Sequence, residues 1–102
     1  MNAMKFVVEQ NRIYAVNKKG EVVAEVIFPA VGEGVVEILQ TWVDDSLRGQ
    51  GVAALLMEAC YEALKADGRK TVLLCSYAVK WYGEHPEKND IVINSADVND
   101  KL

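Results

Sequence analysis

Two glycines separated by one residue, Gly49 and Gly51, are the feature of this sequence best suited to chemistry. Glycine has no Cβ, so a ligand can approach the backbone closely and neighbouring N–H groups can point the same way. If a helix begins here, its first turn adds unpaired N–H donors and a partial positive charge. Such a turn is suited to binding a phosphate or diphosphate. The residues predicted to hold that group are Arg48, Gly49, Gln50, Gly51, Val52 and Ala53.

Two other phosphate-binding motifs fit this segment less well. A Walker A loop requires Gly-Lys-Ser/Thr, which this segment lacks. The spacing of Gly49, Gly51 and Ala54 matches a Rossmann fingerprint, which also expects an acidic residue about 20 positions further on. The corresponding residues 74–77 (LCSY) contain no acid, so Rossmann binding is disfavoured. A plain glycine-rich turn that binds no ligand remains the alternative.

The elements around this turn predict how it is positioned. Residues 35–43 (VVEILQTWV) precede it and form the most β-prone segment of the chain. From Val52 onward, apolar residues recur with the period of an amphipathic helix, and Gly68 follows as a helix cap. Residues 71–75 are a second predicted strand. A strand-helix-strand crossover of this kind implies a parallel pair of strands.

The remaining residues predict an antiparallel meander before this unit and short elements after it. Residues 6–8, 12–17 and 22–28 are predicted strands, and Gly20 supplies the positive φ of a tight hairpin. A short helix is expected at residues 78–84, ending before Pro86. Residues 91–93 are predicted to add an edge strand, followed by a polar tail over residues 94–102. The expected class is α+β, in a single domain spanning residues 1–102.

Composition narrows the possible function classes. Of 102 residues, 51% are hydrophobic and 25% charged, which suits one packed domain. The net charge of -4 argues against a nucleic-acid partner. No apolar run approaches the roughly 20 residues that span a membrane, and the start of the chain lacks a secretory signal, so a cytoplasmic location is expected, without a membrane partner. Cys60, Cys75 and His85 match no metal-binding pattern, so no metal is predicted.

Two segments together resemble a known family. Val-Asp-Asp at residues 43–45, followed by Ser-Leu-Arg-Gly-Gln-Gly-Val-Ala at residues 46–53 and an amphipathic helix, resembles the coenzyme-A-binding motif of the GNAT superfamily of N-acetyltransferases. Residues 75–81 (CSYAVKW), followed by His-Pro-Glu at residues 85–87, resemble small single-domain GNAT-like proteins that carry a cysteine after the strand following the coenzyme helix. The resemblance covers about residues 4–92.

This resemblance implies a minimal GNAT-like acyl-CoA N-acyltransferase fold, with a mostly antiparallel sheet that splays apart where its two parallel strands meet. It implies that acetyl-CoA is the cosubstrate and that the backbone of residues 48–53 holds its diphosphate. It also implies that Trp42 and Val43 pair along the pantetheine arm. The implied reaction transfers acetyl from coenzyme A to an amine that the sequence does not identify.

Acetyl transfer requires a base, donors for the developing oxyanion and an acid for the departing thiolate. Cys75, expected beside the thioester, could accept the acetyl group or protonate the leaving sulfur, and a buried structural thiol is its alternative. Tyr82 is a candidate acid, with Tyr77 as an alternative. His85 is a candidate base, and Glu37 on the long strand resembles a common base position only loosely. Ordinary packing or a surface role is the alternative for each of these four.

Two further interpretations stay open. The protein could be a non-catalytic acyl-CoA sensor or carrier, which would bind coenzyme without turnover. It could also be an interaction module that has kept the fold and lost the ligand. The coenzyme hypothesis requires that the amides opening the long helix are not capped by the protein, and that a groove separates the two parallel strands.

Overall fold

The computed structural model describes residues 4–93. The predicted tail, residues 94–102, lies outside this part of the chain. The elements in chain order are β1 (Val7–Glu9), β2 (Arg12–Val16), β3 (Val22–Ile27), β4 (Ala30–Gly32), β5 (Val35–Ile38), β6 (Gln40–Val43), a 3-10 helix at Asp45–Leu47, α1 (Val52–Ala66), β7 (Lys70–Leu73), α2 (Ser76–Gly83) and a second 3-10 helix at Pro86–Ile91.

The first strands form the predicted antiparallel meander. The sheet order is β1-β2-β3-β6, and every neighbouring pair in it is antiparallel. The turn between β2 and β3 contains Gly20, whose φ of 83° confirms the positive value expected from the sequence. The side-chain oxygen of Asn17 accepts the N–H groups of Lys19 and Glu21 at 2.9 and 3.0 Å. This local bonding fixes the hairpin turn.

The single strand predicted over residues 35–43 is instead two strands, because Leu39 interrupts it. β5 pairs in parallel with β7, whereas β6 pairs antiparallel with β3. Gln40 is the register partner of Ile27, and the N–H of Leu39 donates to the Ile27 carbonyl at 3.0 Å. Leu39 and Gln40 on one strand therefore both lie opposite Ile27 on the other, as in a β-bulge. This irregularity moves the chain from a three-stranded sheet, ordered β4-β5-β7, into the four-stranded one.

The parallel strands separate directly after the bulge. The last pair of the β5–β7 ladder is Ile38 with Leu73. The carbonyl oxygen of Ile38 then accepts two N–H groups, from Leu74 at 3.1 Å and from Cys75 at 3.0 Å. Beyond this point, called the fork below, β6 has no strand on its second edge within residues 4–93. The fork confirms the predicted splaying of the parallel strands.

Both helices cover the same face of the sheets. Helix α1 begins at Val52, as predicted, and the following Gly68 has a φ of 69°. Its buried side chains, together with those of α2, belong to one hydrophobic cluster with inward-facing strand residues. The cluster includes Ile13, Ala15, Ala24, Val26, Phe28, Val36, Ile38, Val52, Leu56, Met57, Cys60, Tyr61, Leu64, Ala78, Trp81 and Tyr82. This core fixes the start of α1 relative to β6.

The segment after α2 is held to α1 by polar contacts. Asp90 accepts the hydroxyl of Tyr61 at 2.9 Å and forms an ion pair with Lys65, which lowers the pKa of the Asp90 carboxyl. The edge strand predicted at residues 91–93 is reduced to one parallel bridge, Val92 with Thr71. No helix among residues 4–93 combines the length and apolar character needed to cross a membrane.

Candidate functional site

A groove of about 510 Å³ lies between β6 and the start of α1, next to the fork. Its walls come from β6, the loop before α1, the first turn of α1 and the start of α2. The lining residues are Thr41, Val43, Leu47, Arg48, Gly49, Gly51, Val52, Ala53, Ala54 and Tyr77. Most of the predicted coenzyme-binding residues therefore line one continuous space.

The amides that open α1 are not capped by the protein. Gly51 is the N-cap residue, with a left-handed φ of 72°, and it has no side chain that could accept a hydrogen bond. The first helical bond runs from the N–H of Leu55 to the Gly51 carbonyl at 3.2 Å. The amides of residues 52–54 thus have no acceptor within the described chain. Because these residues line the groove, their N–H groups are available to an anion inside it.

The two glycines of the motif are required by backbone conformation. Gly49 has a φ of 79° and Gly51 one of 72°, a region that costs other residues roughly 1–2 kcal/mol. A Cβ built on either residue would meet no atom within 4 Å. The protein itself therefore leaves space beside this backbone, and a ligand can approach it there.

The loop before α1 is ordered by Asp44. Its carboxylate accepts the N–H of Ser46 at 3.0 Å and the hydroxyl of Ser46 at 2.6 Å. Both hydrogen bonds favour the charged carboxylate and lower its pKa. These bonds hold the 3-10 turn that leads into the two glycines.

Arg48 and Gln50 occupy different positions. Arg48 is a lining residue of the groove, and its guanidinium pairs with the carboxylate of Asp45 at 2.7 Å, where both side chains are largely exposed. Gln50 donates its amide side chain to the Ser46 carbonyl at 3.4 Å and its backbone N–H to the Leu47 carbonyl at 3.3 Å. Gln50 is not among the residues that line the groove, and one N–H of its side-chain amide stays free, so its contact with coenzyme remains a prediction.

Along β6, backbone groups point alternately toward β3 and toward the groove. The N–H of Asp44 donates to the Val23 carbonyl at 2.8 Å, so Trp42, two residues earlier, also directs its backbone toward β3. Thr41 and Val43 direct theirs to the unpaired edge, and both line the groove. Thr41 and Val43 thus border the groove and Trp42 does not, while contact of Val43 with a pantetheine arm remains a prediction. Strict alternation along a strand shows that the neighbours Trp42 and Val43 cannot both face the groove, but the bulge decides which of them does.

Cys75 lies at the fork and is the N-cap residue of α2. Its thiol is partly buried, with Sγ 3.5 Å from the hydroxyl oxygen of Thr41. Burial raises the pKa of the thiol, but the Thr41 hydroxyl and the N–H groups of Ala78 and Tyr77 outweigh burial and lower the pKa from its ordinary value. Since the thiolate is the nucleophilic form of cysteine, this position favours reactivity.

The second cysteine has the opposite environment. Cys60 is completely buried in α1, and burial raises the pKa of its thiol to about 12. It is a structural residue of the core, as expected from its position within the helix.

Two of the predicted catalytic residues do not reach the groove. Tyr82 is only 1% exposed, and burial raises the pKa of its phenol well above the ordinary value. Its place in the core argues against the predicted acid role. His85 follows α2, with Nδ1 2.7 Å from the Trp81 carbonyl and its ring stacked on the Trp81 indole at 4.0 Å. Helix α2, roughly 12 Å long, separates it from Cys75.

The two alternatives named from the sequence lie closer to the fork. Tyr77 lines the groove, and burial, reinforced by Glu84, raises the pKa of its phenol. Glu37 is partly exposed on β5, between the buried Val36 and Ile38. Within residues 4–93 no group of three or more His, Cys, Asp or Glu side chains is placed to hold a metal ion.

Solved structures share this fold. A GCN5-like protein from Staphylococcus aureus, assigned as an N-acetyltransferase, has a TM-score of 0.73 and 24% identity over 92% of each chain. A Mycobacterium tuberculosis protein determined in complex with CoA has a TM-score of 0.59 and 16% identity, covering 76% of this chain and 48% of that one. The ribosomal-protein-S18-alanine N-acetyltransferase from Escherichia coli has a TM-score of 0.58 and 18% identity, covering 82% of this chain and 54% of that one. This chain spans about half the length of the last two proteins.

The sequence itself provides the family assignment. Comparison with proteins of curated function gives no match. Residues 12–91, however, match the family model of the GCN5-related N-acetyl-transferases. That range contains the glycine turn, helix α1, the fork and Cys75. The protein therefore belongs to the GCN5-related N-acetyltransferase family.

Proposed function

We propose that the protein binds acetyl-CoA in the groove and transfers the acetyl group to an amine, with Cys75 as the first acceptor of that group. One observation carries the proposal. The uncapped amides of α1 and the partly buried thiol of Cys75 lie near two ends of the same groove, linked by the free edge of β6. An extended cosubstrate with an anionic diphosphate and a thioester suits such a space.

The diphosphate is proposed to bind at the start of α1. There the amides of residues 52–54 offer donors, each worth typically about 1.5–3 kcal/mol toward a charged acceptor. Arg48 lines the same end of the groove. Its present partner, Asp45, holds the guanidinium at 2.7 Å and competes with a phosphate for it. Coenzyme binding is therefore expected to exchange one anionic partner of Arg48 for another.

The pantetheine arm is proposed to pair with β6. Its amide groups can bond the outward-facing N–H and C=O groups of Thr41 and Val43 in the way a peptide adds to a free strand edge. This pairing places the thioester toward the fork, because β6 begins there. Cys75 then lies beside it, 3.5 Å from the Thr41 hydroxyl.

The proposed chemistry proceeds in two steps. The thiolate of Cys75 attacks the acetyl carbonyl, a carbon–sulfur bond forms to Cys75, and the bond to coenzyme A breaks. Coenzyme A leaves as a thiolate and takes up a proton, for which the phenol of Tyr77 on the groove is the proposed donor. A neutral amine then attacks acetyl-Cys75 and loses a proton, which returns to Tyr77. The carbon–sulfur bond breaks, giving the amide and regenerating the Cys75 thiolate.

Intact-protein mass spectrometry after incubation with acetyl-CoA tests the covalent step. We expect one acetyl adduct, mapped to Cys75 and absent from the buried Cys60. Cys75→Ala should lose the adduct and the turnover of amines, yet bind coenzyme A with unchanged affinity by calorimetry. Turnover by Cys75→Ala equal to that of the parent protein would remove the covalent step and leave direct transfer to the amine.

Calorimetric titration with coenzyme A also separates the alternative functions. Binding together with turnover across a panel of amines is the expected result. Binding without turnover would make the protein a carrier or sensor of acyl-CoA. The absence of binding would overturn the proposal and leave an interaction module with this fold.

A further inference from the structure

Strand β1 forms an open edge of the four-stranded sheet. It is the first strand in the order β1-β2-β3-β6 and, within residues 4–93, it pairs only with β2. Its two valines are exposed, Val7 by 42% and Val8 by 56%. The ladder to β2 runs without a bulge, and β1 contains no proline that would block a further partner. Such an edge is a template for pairing with another strand.

The turn after β1 determines which backbone groups face this edge. A two-residue turn joins β1 to β2, and Glu9 is the register partner of Arg12 across it. Residues that flank such a turn exchange their hydrogen bonds, so the backbone groups of Glu9 point to β2. Alternation along the strand then directs the N–H and C=O groups of Phe6 and Val8 to the open edge. These are the groups that a further strand would bond.

The sequence Lys-Phe-Val-Val-Glu around β1 is complementary to a second copy of itself. When two copies run antiparallel about Val7, Lys5 of each lies opposite Glu9 of the other. Phe6 of each then lies opposite Val8 of the other. Facing pairs of opposite charge and facing apolar pairs both stabilise neighbouring strands. A centre at Phe6 or Val8 would instead place Val7 opposite a charged residue, so the side chains select the register with Val7 on a twofold axis.

The hydrogen bonds agree with this register. Facing residues of an antiparallel pair alternate between those that exchange both backbone hydrogen bonds and those that exchange none. In the register centred on Val7, each Phe6–Val8 pair joins the two residues whose backbone groups point to the open edge. Lys5 faces Glu9 at a position without these bonds, where side chains approach most closely. Backbone and side chains thus favour the same pairing.

Each face of the edge keeps its character in this pairing. Val8 is the register partner of Ile13, which is completely buried, and Phe6 packs against the same core. Placing Phe6 beside Val8 of a second copy therefore extends the core across the new edge. Lys5 and Glu9 lie on the other face by alternation, and both are exposed. Their charges can meet in solvent without the cost of burial.

We propose that a second copy of this chain pairs with β1 and forms a twofold-symmetric dimer. Two four-stranded sheets then become one antiparallel sheet of eight strands. Strand β6 lies at the opposite edge of each sheet, so both grooves stay accessible. The charges favour another copy of this chain, because an unrelated strand would leave Lys5 and Glu9 without partners. The inference does not depend on acetyl transfer.

The expected affinity is modest because the contact is short. Two five-residue segments bury less than the roughly 1,200 Å² at which stable complexes begin. A dissociation constant on the order of 100 µM is therefore expected. At this value the monomer fraction falls about fourfold between 10 µM and 1 mM total protein, by mass action. This range is accessible to both measurements described next.

Sedimentation equilibrium and amide hydrogen exchange of the full chain test the proposal. We expect the average mass to rise toward that of a dimer over this range. Exchange at Phe6 and Val8 should slow about fourfold, in proportion to the monomer fraction. Exchange at Val7 and Glu9 should change less, because their amides already bond β2. This pattern distinguishes pairing through the edge from association through another surface.

Charge reversal provides a second test. Lys5→Glu and Glu9→Lys each place like charges opposite each other, so each variant alone should associate about tenfold more weakly, since two symmetric pairs change. An equimolar mixture of the two should recover an affinity close to that of the parent, because every facing position then holds opposite charges. Recovery also shows that both variants fold. Lys80→Glu, at an exposed position of α2, is the matched control for net charge and should dimerise like the parent.

A protein that stays monomeric at 1 mM would overturn the proposal. Slowed exchange confined to residues outside 5–9 would do the same, because the copies would then meet through another surface. Association of Lys5→Glu and Glu9→Lys equal to that of the parent, or a mixture that associates no better than its components, would remove the register and with it the dimer described.

Discussion

The two halves of residues 35–43, β5 and β6, belong to one β-prone segment but have opposite surroundings. In β5, Val36 and Ile38 are almost completely buried, and the strand has a partner on each edge. In β6, only the edge toward β3 is paired within residues 4–93, and Trp42 is exposed. β5, called the closed half below, contributes packing to the fold. β6, called the open half, keeps the backbone groups of one sheet edge free, and the candidate site lies there.

The largest expected effect is on stability, in the closed half. Ile38→Ala removes a fully buried side chain and should lower the free energy of unfolding by about 2–5 kcal/mol, measured by urea denaturation. Thr41→Val, in the open half, should change it by less than about 1 kcal/mol, because Thr41 is only partly buried. Equal losses in both variants would show that the two halves do not divide stability and binding as described.

A change in the glycine turn should affect binding next most strongly. Gly51→Ala places a Cβ at a φ of 72° and beside the amides of α1, so coenzyme A affinity should fall about tenfold by calorimetry. Gly20→Ala is the matched control, because its φ of 83° carries a similar backbone cost far from the groove. Both variants should lose comparable stability, but only Gly51→Ala should lose affinity. A similar loss of affinity in both would point to general destabilisation.

The reactivity of the open half is tested by the pH dependence of alkylation. An ordinary cysteine thiol has a pKa of about 8.5. The pKa of Cys75 is lowered, so its thiolate persists at a lower pH than that of an ordinary cysteine. Thr41→Val removes one hydrogen bond to the thiolate, which should raise the midpoint of iodoacetamide alkylation and slow the reaction at pH 7 a few-fold. Cys60, with a pKa of about 12, should stay unmodified in the folded protein. An unchanged midpoint in Thr41→Val would contradict the role given to Thr41.

The smallest expected effects concern the exposed ion pair at the mouth of the groove. Arg48→Gln should weaken coenzyme A binding two- to fivefold at low salt and less at high salt, because exposed charges are screened. Asp45→Asn frees Arg48 for phosphate and should strengthen binding by up to about twofold. Calorimetry at two salt concentrations measures both, and a loss of affinity in Asp45→Asn would show that the carboxylate orders the loop rather than competing with phosphate.

Local sequence signals predicted the helical side of the site well. Helix α1 begins at Val52 because the apolar period and the preceding Gly51 agree, and Gly68 ends it by the same local rules. The bulge at Leu39 could not be predicted, since residues 35–43 form an uninterrupted β-prone run. Its position depends on the carbonyl of Ile27 and on the β5–β7 ladder, which are contacts between distant parts of the chain.

The predicted site residues show the same difference between local signals and contacts of distant residues. The sequence predicts Trp42 rather than Thr41 beside the pantetheine arm, because the bulge, which the sequence does not reveal, decides which residues of β6 face the groove. Tyr82 was chosen over Tyr77 by a weak motif, whereas helical spacing groups Tyr82 with the buried Ala78 and therefore with the core. The fold class and the glycine turn could be predicted from the local pattern and the family resemblance, but the orientation of individual side chains required the tertiary pairing.

The carbonyl oxygen of Ile38 accepts the N–H groups of both Leu74 and Cys75 and so holds the chain after β7 next to the end of β5 at the fork. With both amides bonded to one atom, the angle between the strands is set when the chain folds. A cosubstrate can therefore bind between the separated strands without breaking hydrogen bonds of a paired ladder. Preorganisation of this kind spares the binding step a conformational cost. In this small fold, backbone hydrogen bonds of the protein itself set the shape of the entry to the groove.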